Sequence, residues 1–122
     1  MAVGTPGGHT IGQTVPQIVM NLIDFKMNIQ AAIASPRVSF KEPDLLLVEE
    51  GINKEVLEKL KSIGHKLREL KKPEGIGNAH GLAIEYDAEG NPLRFFGGTD
   101  PRGEGKAAGR AQRSQGDDLP DA

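Results

Sequence analysis

The 122-residue sequence predicts an α+β fold, and three observations lead there. Residues 10–27 carry apolar side chains at helical spacing. Residues 53–64 form a second, heavily charged amphipathic helix. Residues 81–98 alternate in polarity like two strands about a turn.

Taken in order, Thr10 to about Met27 reads as the first helix. Thr14 and Gln17 stand in the capping-box relation, and Pro16 falls in the first turn, where a missing N–H does no harm. Val15, Ile18, Val19 and Leu22 follow the i, i+3, i+4, i+7 rule, while Met20 and Ile23 widen the apolar face. Gln17, Asn21, Asp24 and Asn28 leave a narrow polar stripe, so the helix should be mostly covered, with only that stripe near water or a partner. Asn28 then caps a short helix, Ile29 to Ala34, which Pro36 ends. Pro36-Arg37-Val38 leads into an extended segment. Arg37 either binds a carboxylate or ties a loop to neighbouring backbone, the commoner use of such an arginine.

Lys41 to Asp44 is a polar turn, and Leu45 to Glu49 an apolar run suited to a buried strand. Asn53 is placed to cap the next helix, with Ile52 closing over Leu57 as a hydrophobic staple. Val56, Leu57, Leu60 and Ile63 form its expected buried face, Lys54, Glu55, Glu58, Lys59 and Lys61 its solvated one, and Gly64 its stop. His65 to Leu70 reads as an edge strand and residues 71–75 as a breaker. Gly81 to Asp87 and Leu93 to Gly98 make a hairpin about the turn at 87–92. Residues 1–109 form one segment, and 110–122, rich in glycine and charge without periodicity, are expected to be a disordered tail.

Composition narrows the function classes. A formal net charge of −2, with no basic arm and no aromatic platform, excludes nucleic acid as an expected partner. No run approaches the ~18 apolar residues of a membrane span. The beginning lacks a basic and apolar leader, so a soluble, cytoplasmic chain is expected unless it is part of a longer precursor. Without cysteine there is no disulfide and no thiolate chemistry. A hydrophobic share of 37% with 16 glycines and 8 prolines fits a piece completed by other surface, or equally a small domain with a loose tail. Phosphate-loop, nucleophile-elbow and zinc-helix motifs are missing. His9, His65 and His80 lack ligand-like spacing, so no metal or other cofactor is expected.

One stretch, Val3-Gly4-Thr5-Pro6-Gly7-Gly8-His9, has the makings of a site. Proline stiffens the entry to the turn, and the glycine pair permits positive φ and close approach. Such a loop either is a plain turn or aims consecutive N–H groups at an anion or a developing oxyanion. It also precedes a helix, whose dipole adds positive potential at that end. His9 either donates to a bound carboxylate or covers the helix start.

Gly4-Thr5-Pro6-Gly7-Gly8, the Val19–Asn28 segment and Ala34-Ser35-Pro36-Arg37 together resemble the C-terminal part of γ-glutamyltransferases, which are N-terminal-nucleophile hydrolases. The resemblance continues through Val48-Glu49-Glu50-Gly51, Leu60 with Gly64-His65-Lys66-Leu67, and Gly98-Thr99-Asp100-Pro101-Arg102, and covers Val3 to about Gly109. It implies a C-terminal fragment of an αββα sandwich from a precursor that cleaves itself to expose a nucleophilic threonine. That threonine attacks a γ-glutamyl amide, with its own α-amine as base. The acyl-enzyme then passes to water or to an amino acid or peptide. Gly7 and Gly8 map onto the glycine pair whose N–H groups form the oxyanion hole.

Thr5, Thr10 and Thr14 lie in the wrong motif to be the nucleophile. The resemblance therefore implies that the nucleophile, and the groups gripping the glutamyl α-carboxylate and α-amine, lie upstream. Alone, the chain is expected to be inactive. Its partners would be the γ-glutamyl substrate and the remainder of the enzyme: the large subunit and the N-terminal part of the small subunit. Two alternatives stay open: a freestanding, non-catalytic interaction or assembly module, and the same segment of a glutaryl or cephalosporin acylase. Exposed apolar surface and self-association are expected wherever the covering partner is missing.

Overall fold

A three-residue strand, β1 (Ala2–Gly4), opens the chain and leads through Thr5-Pro6-Gly7 into a 3-10 turn, Gly8–Thr10. The turn runs directly into α1 (Ile11–Ile23). These elements come from a computed structural model that describes residues 1–109; the tail expected over 110–122 lies outside the described residues. The helix therefore starts within one residue of expectation, but its capping box does not exist. Thr14 lies inside α1 and is fully buried, and Pro16 is interior, where it removes the N–H that would have met Gly12 O. The helix also stops earlier than expected, at Ile23. Lys26 takes a positive φ of 55°, and the Met27 N–H turns back to Asn21 O at 3.0 Å.

Next come α2 (Ile29–Ala34), β2 (Val38–Lys41), β3 (Leu45–Glu49), α3 (Lys54–Ser62) and β4 (Lys66–Leu70). Local chemistry accounts for most of these boundaries. Asn28 Oδ1 accepts the Ala31 N–H at 2.8 Å, and Asn53 Oδ1 accepts the Glu55 N–H at 2.8 Å. Gly64, at φ 103°, ends α3 by donating to Lys61 O while His65 N–H reaches Leu60 O, both at 3.0 Å. The hairpin follows as β5 (His80–Tyr86) and β6 (Pro92–Thr99), with Asp87 Oδ1 accepting two turn N–H groups.

Two three-stranded sheets result, in the orders β1-β5-β6 and β2-β3-β4. The first is wholly antiparallel. In the second, β3 and β4 run parallel with α3 as their crossover. β1 is the one strand that the sequence did not announce; it exists because Ala2, Val3 and Gly4 pair with Leu82, Gly81 and His80. The mixed helix and strand architecture is the α+β class expected.

The core is Ile18, Ile29, Ala32, Ile33 and Ala79, with Val3, Leu22 and Met27 packed around it. It lies where α1 and α2 meet the β1-β5-β6 sheet. Helix α2 comes very close to that sheet: a Cβ on Gly98 would stand 2.9 Å from Ile33 Cδ1. A side chain there would have to push Ile33 aside, so glycine lets the two come this close.

Some burial expectations need correcting. In the polar stripe of α1, Asp24 and Asn28 are exposed as expected, whereas Asn21 is half-buried where it donates to Ala32 O, and Gln17 is half-buried because it and Gln13 pair with the outer edge of β2. Gln17 donates to Val38 O at 2.8 Å and accepts its N–H at 3.0 Å; Gln13 accepts the Phe40 N–H at 2.6 Å. Those carboxamides satisfy edge groups that would otherwise seek another strand. Met20 and Ile23, counted as apolar face, are about half exposed instead. On α3 only Leu57 is buried, while Val56 and Ile63 are exposed, since a three-stranded sheet is too narrow to cover the helix.

The far face of the β1-β5-β6 sheet is also open. Gly81 and Gly98 face α2, so by alternation Leu82 and Phe95 point the other way, and they are 50% and 72% exposed. The last described segment is Ala107 to Gly109. It lines a shallow cleft on this face with Leu82 and Phe95, and Ala107 sits over Gly97.

Candidate oxyanion site and the charge cluster behind it

The glycine pair heads α1 through the 3-10 turn. Gly7 has φ 136° and Gly8 φ 59°, both in the left-handed region that side-chain-bearing residues avoid. Gly7 O accepts two bonds from Thr10, from the N–H at 3.1 Å and from Oγ1 at 2.9 Å. The Gly7 and Gly8 N–H groups, in contrast, have no acceptor among the described residues, and both glycines are exposed. Two neighbouring donors are thus held at the positive end of a 13-residue helix with nothing paired to them. His9 is exposed beside them, in the 3-10 turn.

Behind the loop lies a cluster of two arginines and two carboxylates. Arg37 Nη1 meets Asp100 Oδ2 at 2.8 Å, with the side chains 1% and 0% exposed. Arg102 Nη1 meets the other Asp100 oxygen at 3.0 Å, and Arg102 Nε and Nη2 grip both oxygens of Glu49. Backbone fills most of the remaining positions, leaving Arg37 Nε without a partner among the described residues. Ile33 O and Ile76 O each accept from Arg37 at 2.6 Å. Glu49 accepts the N–H groups of Arg37 and Ile76, and Asp100 those of Ala79 and Arg102. Arg37 therefore does both things open to it: it binds a carboxylate and ties loops.

Burial pushes both carboxyls up, but the charged and backbone donors outweigh it and hold Glu49 and Asp100 below the ordinary carboxylate range. Burial and the nearby Arg102 charge pull Arg37 down, against Asp100 and Glu49. Burial also lowers Arg102, yet its bonds to Glu49 and Asp100 leave it raised. Charge sums to zero and the groups are spent on one another and on backbone, so the cluster is built to hold structure.

A cleft of about 410 Å³ opens beside this cluster between Pro36, Leu70, Pro73, Pro101, Glu49 and Arg102. Neither it nor the shallow cleft over Phe95 is lined by Gly7 or Gly8. The glycine donors stand on open surface.

The γ-glutamyltranspeptidase family model matches residues 1–110. The chain belongs to the γ-glutamyltranspeptidase family. Among its relatives, the glutathione hydrolase proenzyme of Bacillus subtilis is 34% identical over 87 residues, 71% of this chain and 14% of the relative. The crystal structure of a Helicobacter pylori γ-glutamyltranspeptidase mutant superposes with a TM-score of 0.71 at 35% identity, over 83% of this chain and 53% of that one. A cephalosporin acylase from Bacillus halodurans superposes with a TM-score of 0.76 at 29% identity, over 91% of this chain and 20% of that one. The chain thus spans only a small fraction of the curated relatives' length, and the mixed architecture is that of an N-terminal-nucleophile hydrolase fragment.

Within this γ-glutamyltranspeptidase-family segment the three threonines sit apart in role. Thr10 is spent on Gly7, and Thr14 is buried with its hydroxyl unpartnered. Thr5 accepts the Asn78 N–H at 3.0 Å and donates to Pro6 O at 2.9 Å. His80 pairs with Thr99 at 3.2 Å, and among the described residues no three His, Asp or Glu side chains gather as metal ligands. What the sequence did not reveal is that Arg37, Glu49, Asp100 and Arg102 meet. Each stood in a segment carrying the family resemblance, and that coincidence was the available signal.

Proposed function

We propose that this chain is the C-terminal portion of a γ-glutamyltransferase-type enzyme and contributes the oxyanion donors, Gly7 N–H and Gly8 N–H, to acyl transfer from γ-glutamyl amides. The observation that carries this reading is the unpaired, adjacent N–H pair on two positive-φ glycines at the head of α1. In the tetrahedral intermediate the carbonyl oxygen becomes negative. Donors already oriented toward that position stabilise it without reorganising.

The attacking hydroxyl is a threonine from the portion preceding this segment in the enzyme, with its α-amine taking the proton. That portion also supplies the wall facing the glycine pair and the groups that hold the glutamyl α-carboxylate and α-amine. The relatives are proenzymes much longer than this chain, which supports a larger assembly. The uncovered apolar face around Leu82 and Phe95 supports it as well. An acylase acting on a glutaryl or cephalosporin side chain is the second reading, favoured by the cephalosporin acylase fold match. The residues that choose between the two acyl groups belong to the other portion.

The test is hydrolysis of γ-glutamyl-p-nitroanilide and of glutaryl-7-aminocephalosporanic acid by this chain alone and together with the nucleophile-bearing portion. Activity on the first substrate only in the combined sample is expected. Activity of the chain alone would overturn the proposal, and activity on the second substrate alone would select the acylase reading.

A further inference from the structure

We propose that Thr5 is a positioning residue for the glycine pair, its hydroxyl hanging the Pro6-Gly7-Gly8 turn from the loop that the buried charge cluster clamps. The inference rests on the oxyanion reading above and adds how the donors are kept in place. Nothing within the turn itself sets its position relative to the body of the protein. The Thr10 bonds to Gly7 O are local and fix only its shape.

The loop from Ile76 to Ala79 is held at both ends. At Ile76 the N–H goes to Glu49 Oε2 at 2.8 Å and the carbonyl accepts from Arg37 at 2.6 Å. At Ala79 the N–H goes to Asp100 Oδ2 at 2.7 Å. Between them Asn78 points its N–H at Thr5 Oγ1, and that hydroxyl in turn donates a hydrogen bond to Pro6 O. The path runs from the ion cluster through clamped backbone to Thr5, and from Thr5 to the peptide just before Gly7. Gly77 makes the contact close. It sits at φ 76°, and a Cβ there would stand 3.0 Å from Thr5 Oγ1 and 3.3 Å from both Arg37 Nη1 and Thr14 Cγ2. Thr5 and Arg37 rest on the same glycine. A hydroxyl that both accepts and donates is required, and a group of the same shape without hydrogen bonds would release the turn. Small misplacements of a donor are expensive in rate, a shift of ~1 Å reaching ~10²-fold.

The experiment compares Thr5→Val, Thr5→Ser and Gly8→Ala in the assembled enzyme, with kcat and KM measured on γ-glutamyl-p-nitroanilide. Backbone ¹⁵N order parameters of Gly7 and Gly8 are measured for the two Thr5 variants in the full chain, and melting midpoints serve as the folding control. Thr5→Val is expected to lower kcat by ~10- to ~100-fold with KM little changed. It should also lower the order parameters at Gly7 and Gly8 but not along α1, and Thr5→Ser should restore both. Unchanged order parameters in Thr5→Val, or a kcat loss that serine does not rescue, would overturn the positioning role. If the oxyanion reading itself is wrong, Gly8→Ala leaves kcat unchanged while the order parameters still report on Thr5, so the two failures are told apart.

Discussion

Arg37 and Asp100 pair at 2.8 Å with neither side chain open to solvent, joining the chain leading into β2 to the chain leaving β6. Arg102 takes the other oxygen of Asp100 and bridges to Glu49 at the end of β3. One neutral cluster thereby ties the two sheets, α2 and the 76–79 loop together. Its members come from three separate stretches, Arg37, Glu49 and the Asp100–Arg102 pair, so nothing but the completed fold assembles it.

Breaking this pair from one side should be severe. Asp100→Ala leaves Arg37 buried without its counter-charge, and a loss of about 3–5 kcal/mol is expected in urea unfolding. Replacing Arg37 with Met and Asp100 with Leu together should cost less than the sum of the single changes. Additive losses would show that the two residues do not act as a pair.

Acid should unfold the protein through the same carboxylates. Folded Glu49 and Asp100 bind protons less readily than their unfolded counterparts, whose pKa values are about 4.3 and 3.9. Their contribution is therefore present above those values and drains away as pH falls through the lower, folded ones. Melting midpoints should hold level from pH 7 to about 5 and decline below about 4. A Glu49→Gln variant should start lower and decline less steeply; equal slopes would remove Glu49 from this account.

The two glycines of the proposed oxyanion loop should differ in tolerance. A Cβ at Gly7 would fall 2.2 Å from Thr10 Oγ1 at φ 136°, whereas a Cβ at Gly8 meets nothing within 4 Å. Gly7→Ala should cost fold stability by disrupting the turn. Gly8→Ala should cost only about 1–2 kcal/mol of left-handed strain. Loss of one donor's alignment in Gly8→Ala should reduce kcat of the assembled enzyme by ~10²–10³. Thermal melts set beside the kinetics separate the two effects.

The uncovered sheet face should betray itself in the isolated chain. Leu82 and Phe95 are expected to promote binding of a hydrophobic dye and concentration-dependent association seen by light scattering. Phe95→Gln should weaken both without lowering the melting midpoint, because that side chain is 72% exposed. A monomer indifferent to the dye at high concentration would argue that no partner surface is missing.

Much of the fold was legible because its signals are local. Asn28 and Asn53 cap the helices they precede, Gly64 ends α3, and the β5–β6 hairpin forms about the Asp87 turn, since each needs only neighbours a few residues away. The glycine pair belongs with these: its φ values follow from the residue type and the helix that comes next. Helix α1 shows where such reasoning stops. Its periodicity was real and put Ile18 in the core, yet the covering of Gln17 depended on its finding, with Gln13, the edge of β2.

Periodicity, caps and turn residues therefore determine by themselves most of the helices and strands, and where the donor loop sits. Tertiary structure alone decided that Ala2–Gly4 is a strand, that Arg37, Glu49, Asp100 and Arg102 share one buried cluster, and that Thr5 reaches Asn78. The physical reason is distance along the chain. A cap or turn is settled by bonds spanning three or four residues, whereas a buried ion pair or a strand edge is settled by whichever distant group arrives to satisfy it.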